Sequence, residues 1–126
     1  MKALRRKPTD AELAILRVLW TRGPSTVRQV AEAMGREGGY TTILKLLQIM
    51  TDKRLVVRDE SQRAHVYAAR ESEQRTQRQL IGDLIDRAFG GSSAKLVLQA
   101  LSGSRASAAE LIQIRQLLDQ MEGEAK

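Results

Sequence analysis

The sequence contains no cysteine. That removes disulfides, thiolate metal sites and cysteine nucleophiles at once. It contains a single histidine, His65, which cannot build a multi-histidine metal centre. Aromatic residues make up 3% of the chain, too few for the ring platforms on which single-stranded nucleic acid stacks. No apolar run approaches the roughly 18 residues of a membrane span. The opening residues, Met1-Lys2-Ala3-Leu4-Arg5-Arg6-Lys7-Pro8, are basic but lead into no apolar segment, so they do not read as a secretory leader. A soluble, cytoplasmic protein without a membrane partner is expected. Neither a cofactor nor a metal is expected. The scattered carboxylates, one histidine and no cysteine assemble no nucleophile–base pair, and no Ser-Lys or carboxylate-only set stands out, so no catalytic residue is assigned.

What is present is basic and globular. The 126 residues carry a formal net charge of +6, and 42% of them are hydrophobic, enough for a folded core. The length suits one ordinary domain or two small ones. Charge is distributed unevenly. Residues 1–70 hold 14 Lys and Arg against 7 Asp and Glu, a net of +7, whereas residues 71–126 hold 7 against 8, a net of −1. A basic half joined to a near-neutral half suggests that one part meets a polyanion and the other does something else.

The basic half reads as three helices and a hairpin. Thr9-Asp10-Ala11-Glu12 has the form of a capping box. Leu13, Leu16 and Trp20 then recur at helical spacing, widened by Ile15 and Leu19, to Gly23-Pro24. Trp20 reads as a core anchor. Ser25 or Thr26 caps a second helix with Val27, Val30, Ala31 and Met34 on one face, and Gly35, Gly38 and Gly39 mark the turn after it. A third helix starts near Tyr40 or Thr41 and turns Ile43, Leu46, Leu47 and Met50 inward. Thr41, Lys45, Gln48 and Asp52 fall on the opposite face. Leu55-Val56-Val57-Arg58 and Ala64-His65-Val66-Tyr67-Ala68 read as strands joined by a polar turn. This order is that of a winged helix-turn-helix.

From Ser72 the character changes. Residues 72–79 are polar, and Leu80, Ile81, Leu84, Ile85, Ala88 and Phe89 then form an apolar stripe that Gly90-Gly91 stops. Residues 94–101 are apolar nearly all round, which predicts a deeply buried helix. Ser107-Ala108-Ala109-Glu110 is a second capping box, followed by Leu111, Ile112, Ile114, Leu117, Leu118 and Met121. Three helices of this size cannot bury so much apolar surface alone. A second copy of the chain is the simplest partner, and a hairpin folding back on the first half is the alternative. The interface is expected to use Leu80, Ile81, Leu84, Ile85, Phe89, Leu96, Val97, Leu101, Leu111, Ile114 and Leu118. The expected organisation is mainly α, with a winged helix-turn-helix DNA-binding domain at residues 1–71 and a helical dimerisation domain at 72–126.

The outer face of the third helix is the candidate reading head, because a helix fits the major groove and each base pair shows a distinct pattern there. Gln48 suits adenine, and Lys45 suits guanine or a phosphate. Thr41 and Thr42, at the helix start, suit phosphates. Arg58 and Arg63 flank the hairpin turn and would reach the DNA backbone or minor groove. Asp59 and Glu60 lie between them and would point to solvent or pair with nearby arginines. Arg5, Arg6 and Lys7 read equally as a basic arm or a solvated end. His65 reads as a packing or surface residue. The rival to DNA binding is a winged helix that binds another protein, against which the charge of the first half argues.

Tyr40-Thr41-Thr42-Ile43-Leu44-Lys45-Leu46-Leu47-Gln48-Ile49-Met50 resembles the recognition helix of the penicillinase-repressor and methicillin-resistance-repressor family. Thr9-Asp10-Ala11-Glu12-Leu13 and Leu19-Trp20 are similar to its first helix, Arg63-Ala64-His65-Val66-Tyr67 to its wing strand, and Phe89-Gly90-Gly91-Ser92 with Leu96-Val97-Leu98 to its dimerisation region. The resemblance implies a homodimeric transcriptional repressor on a double-stranded inverted-repeat operator. It carries Thr41, Thr42, Lys45 and Gln48 over as recognition-helix positions and Arg63 as a wing position. Ile49 stands where the family commonly has a basic residue, and Arg54 where it commonly has glycine. The resemblance also implies an upstream sensor protease as a partner, but the bond matching the family's Asn-Phe cleavage site is Gln99-Ala100. A copper-responsive branch uses C-terminal cysteines, so copper sensing by that chemistry is excluded.

Overall fold

A computed structural model of the chain describes residues 7–35, 39–103 and 106–125. The elements follow in the order α1 (Asp10–Arg22), β1 (Ser25–Thr26), α2 (Val27–Met34), α3 (Tyr40–Asp52), β2 (Val56–Asp59), β3 (Val66–Ala69), α4 (Glu73–Ala88), α5 (Ser93–Ser102) and α6 (Ala108–Ala125). They fall into two compact units that part within α4, one ending at Asp83 and the other beginning at Leu84.

Local chemistry sets the boundaries of the first unit. The Thr9 hydroxyl accepts from the Glu12 N–H at 3.2 Å, and the Glu12 carboxylate accepts from the Thr9 N–H at 2.9 Å, so two free donors at the start of α1 are satisfied reciprocally. Gly23, at φ +88°, ends the helix in a conformation that a side chain would oppose. Thr26 is the residue that caps α2, and Gln29 completes a second box with it. The Ser25–Thr26 pair also forms an antiparallel strand on β3, with Ser25 opposite Tyr67 and Thr26 opposite Val66. The sheet therefore has three strands in the order β1-β3-β2, where the sequence pattern shows only the hairpin.

The helices and sheet close on one apolar core. Ile15, Leu16 and Leu19 of α1, Val27 and Val30 of α2, Ile43, Leu47 and Met50 of α3, Val56 of β2 and Tyr67 of β3 are buried in it. Full burial of such side chains stabilises by about 1.5–3 kcal/mol each. Leu13, Trp20, Ala31, Met34 and Leu46 pack around this core partly buried. Trp20 is thus a core anchor, and its indole N–H donates to the Glu71 carbonyl at 2.9 Å, holding the entry to α4 against α1. Thr76, one turn into α4, is buried.

The second unit differs. None of its described residues is buried. The expectation that residues 94–101 form a deeply buried helix is therefore incorrect for the single chain. Leu98 is 65% exposed, and Val97 and Leu101 are exposed as well. The end of α4, the ten-residue α5 and the eighteen-residue α6 leave these side chains without a second layer to face among the described residues.

Candidate nucleic-acid interface

The core decides which face of α3 is free. Ile43, Leu47 and Met50 point inward, so the opposite face must point outward. Thr41, Thr42, Lys45, Gln48 and Asp52 are all exposed. At 3.6 residues per turn, Thr41, Lys45 and Gln48 share an arc of about 60°. Ile49, which departs from the family's usual basic residue and so bears on base preference, is exposed beside that arc. The helix begins at Gly39 with no side-chain hydrogen bond to its first N–H groups. The Arg28 guanidinium of α2 lies 6.0 Å from the Tyr40 ring centroid, a distance at which the ring face attracts a cation.

Arg28 and Tyr40 border a groove of about 420 Å³ beside α3, with Leu44 and Tyr67 on its walls and Arg63 and His65 at the hairpin edge. Arg63 and His65 are exposed, and Arg63 has no carboxylate partner among the described residues. Arg58 is placed differently. Its Nη2 lies 3.0 Å from Glu60 Oε2, and its Nε donates to the same oxygen at 3.0 Å. It stands opposite Tyr67 in the β2–β3 register. The Tyr67 hydroxyl and then the Glu60 carboxylate hold the guanidinium further above its usual value. The Asp59 carboxylate accepts from the Ser61 N–H at 2.9 Å, and hydrogen bonding from Ser61 lowers its pKa below the usual carboxylate range. The acidic pair in the turn is thus taken up locally, Glu60 by Arg58 and Asp59 by Ser61.

Sequence reasoning missed Arg28 and the pair that fixes the end of α3. Lys53 Nζ donates to Glu12 Oε1 at 2.6 Å, with the Glu12 side chain 3% exposed and that of Lys53 26% exposed. One carboxylate therefore caps α1 and anchors the C-terminal end of α3. The helix then terminates through Arg54, at φ +63°. Arg54 N–H bonds the Thr51 carbonyl at 3.1 Å and Leu55 N–H bonds that of Met50 at 2.9 Å, the two hydrogen bonds of a Schellman ending. Of the basic arm, Lys7 lies 3.3 Å from Asp83, while Arg5 and Arg6 lie outside the described residues, as does Gly38.

The expected pairing residues divide by exposure. Ile81, Leu84, Val97, Leu101, Leu111 and Leu118 are exposed, and Leu80, Ile85, Phe89, Leu96 and Ile114 are half-buried within the chain. Leu98, Ile112, Leu117 and Met121, apolar residues left out of that set, are more exposed than any residue in it. Gln99 and Ala100 lie inside α5. Among the described residues no three His, Asp or Glu side chains gather to hold a metal ion.

Three helices closed by a small antiparallel sheet, with the third helix turned polar side out, define a winged helix-turn-helix protein. The sequence model of the family described as Penicillinase repressor matches residues 8–120, and the chain belongs to that family. Two curated relatives carry the name Transcriptional regulator BlaI, from Mycobacterium tuberculosis strains CDC 1551 / Oshkosh and ATCC 25618 / H37Rv. Each is 45% identical over 62 residues, which is 47% of this chain and 45% of the relative. The chain thus spans about half the length of the curated relatives it matches. The family description and the relatives' name denote repressors and regulators of transcription, not enzymes.

Proposed function

We propose that the chain is a cytoplasmic, sequence-specific DNA-binding repressor of transcription that acts as a homodimer on an inverted-repeat operator. The observation that carries this reading is the outward face of α3. Lys45 and Gln48 stand exposed on a helix whose other side is locked into the core. Such a helix can enter the major groove without rearranging the fold. The free N–H groups at its start, with Thr41 and Thr42, suit a phosphate. Arg28, held beside Tyr40, and Arg63 would meet the backbone on either side of the groove next to it. Arg58, already paired with Glu60, would serve more by stiffening the wing than by direct contact. We assign DNA binding to residues 1–71 and pairing to residues 72–126. Pairing would set two reading helices about 34 Å apart, one turn of B-DNA.

A gel shift with the promoter of the chain's own operon, beside a random duplex, tests the reading. Preferential binding to the promoter is expected, weakening steeply as salt rises because neutralised phosphates release counterions. Lys45→Ala should weaken promoter binding by about 1–3 kcal/mol while random DNA is affected less, as for a base contact. An equal loss on both duplexes would make Lys45 a phosphate contact. Absence of binding to either duplex would leave the winged helix as a protein-interaction module.

A further inference from the structure

Ile49 is the one large aliphatic side chain of α3 that is exposed, 40% so; it lies about 40° round the helix from Lys45, outside both the core and the apolar shell around it. An exposed isoleucine by itself means nothing, since folded surfaces carry many apolar atoms. Its neighbours give this one meaning. Gln48 precedes it and Lys45 lies one helical turn before it, both exposed. Isoleucine has no donor or acceptor, so it can read neither a hydrogen-bonding base edge nor a phosphate. The group that the major groove offers an apolar side chain is the C5-methyl of thymine. A β-branched residue in a helix also holds nearly one χ1 rotamer, so its methyl surface is presented at little entropic cost.

We propose that Ile49 is a specificity-determining residue that packs on a thymine methyl, fixing a thymine in each half-site within about one or two base pairs of the contacts made by Lys45 and Gln48. The inference rests on the DNA-binding reading above. It deepens that reading by naming a base.

The test begins with duplexes selected from a random library by the full-length chain. Each thymine of a selected site is then replaced in turn by deoxyuridine, which lacks the methyl alone, and Kd is measured at fixed salt. With the wild-type chain, one position per half-site should lose about fourfold in affinity, the fold-change that one buried methyl is worth. Ile49→Ala should bind thymine and uridine versions of that position equally, while uridine effects at other positions are unchanged. Ile49→Val, which keeps the branched surface, should retain most of the preference. Circular dichroism checks that both variants fold, which the exposure of the site favours. The inference is overturned if no position shows a uridine penalty with the wild-type chain, or if the penalty persists unchanged in Ile49→Ala. A chain that selects and binds a duplex but shows either result keeps the DNA-binding reading and loses this one. A chain that binds no duplex loses both.

Discussion

Arg54 occupies a left-handed backbone conformation in which a Cβ is crowded by the neighbouring carbonyl. The turn out of α3 demands that conformation, and glycine adopts it without the clash. The family resemblance had already marked glycine as usual there. Arg54→Gly should therefore raise stability by about 0.5–1 kcal/mol, read as a higher urea midpoint with an unchanged slope. The Glu12–Lys53 pair makes the opposite case. Lys53→Met would leave a buried carboxylate without its cation, and a loss of about 2–3 kcal/mol is expected, toward the low end for such pairs because Lys53 keeps some solvent. Adding Glu12→Gln to that variant should recover much of the loss in the same unfolding measurement. Glutamine can keep the cap, as Gln29 does in α2, so a full loss in the double variant would mean that the unpaired charge of Glu12 is not what costs stability. The capping role was legible from Thr9-x-x-Glu12, a local pattern. The ion pair was not, because it joins residues 41 apart that only the tertiary packing brings together.

At the scale of elements, what is written locally was readable. Apolar spacing and caps place α1 and α2 within a residue or two, because each box is a short-range exchange of hydrogen bonds, while apolar spacing alone places the start of α3, which has no side-chain cap. β1 was not readable. Two residues carry no alternation, and their strand character comes from pairing with Val66 and Tyr67 far along the chain. The burial of α5 was misjudged for a related reason: an apolar helix states its demand for cover but not what supplies it. The Ser107 box at the start of α6 yields a pH prediction. The Ser107 N–H donates to the Glu110 carboxylate at 2.8 Å, and this bond, with the contribution of the Ser107 hydroxyl, lowers the Glu110 pKa below the usual carboxylate range. The folded value lies under the unfolded one, so the contribution of the box is complete above the ordinary range and is lost as pH falls through the depressed value. Carboxyl NMR should place the Glu110 midpoint below that of an ordinary glutamate, and Ser107→Ala, which removes the hydroxyl but keeps the backbone N–H, should move it only part of the way back up.

For the molecule as a whole, the first unit carries a core, and the described residues of the second form none. On the homodimer reading, the missing layer is the same unit of a second chain, and folding of residues 84–125 is coupled to association. Thermal unfolding should then show a midpoint that rises with protein concentration, as linkage requires. Leu84→Asp or Leu98→Asp should give a monomer at micromolar concentration in sedimentation while the winged-helix signals in NMR stay in place. A variant that still sediments as a dimer would show that these side chains lie outside the interface. Gene dosage follows from the same absence of an internal core. Where the active species needs two copies, its amount varies with the square of the free chain when pairing is weak, so halving synthesis leaves about a quarter of it. A promoter controlled in this way would respond more sharply to the rate at which the cell makes or destroys the polypeptide than a promoter held by a single-chain regulator.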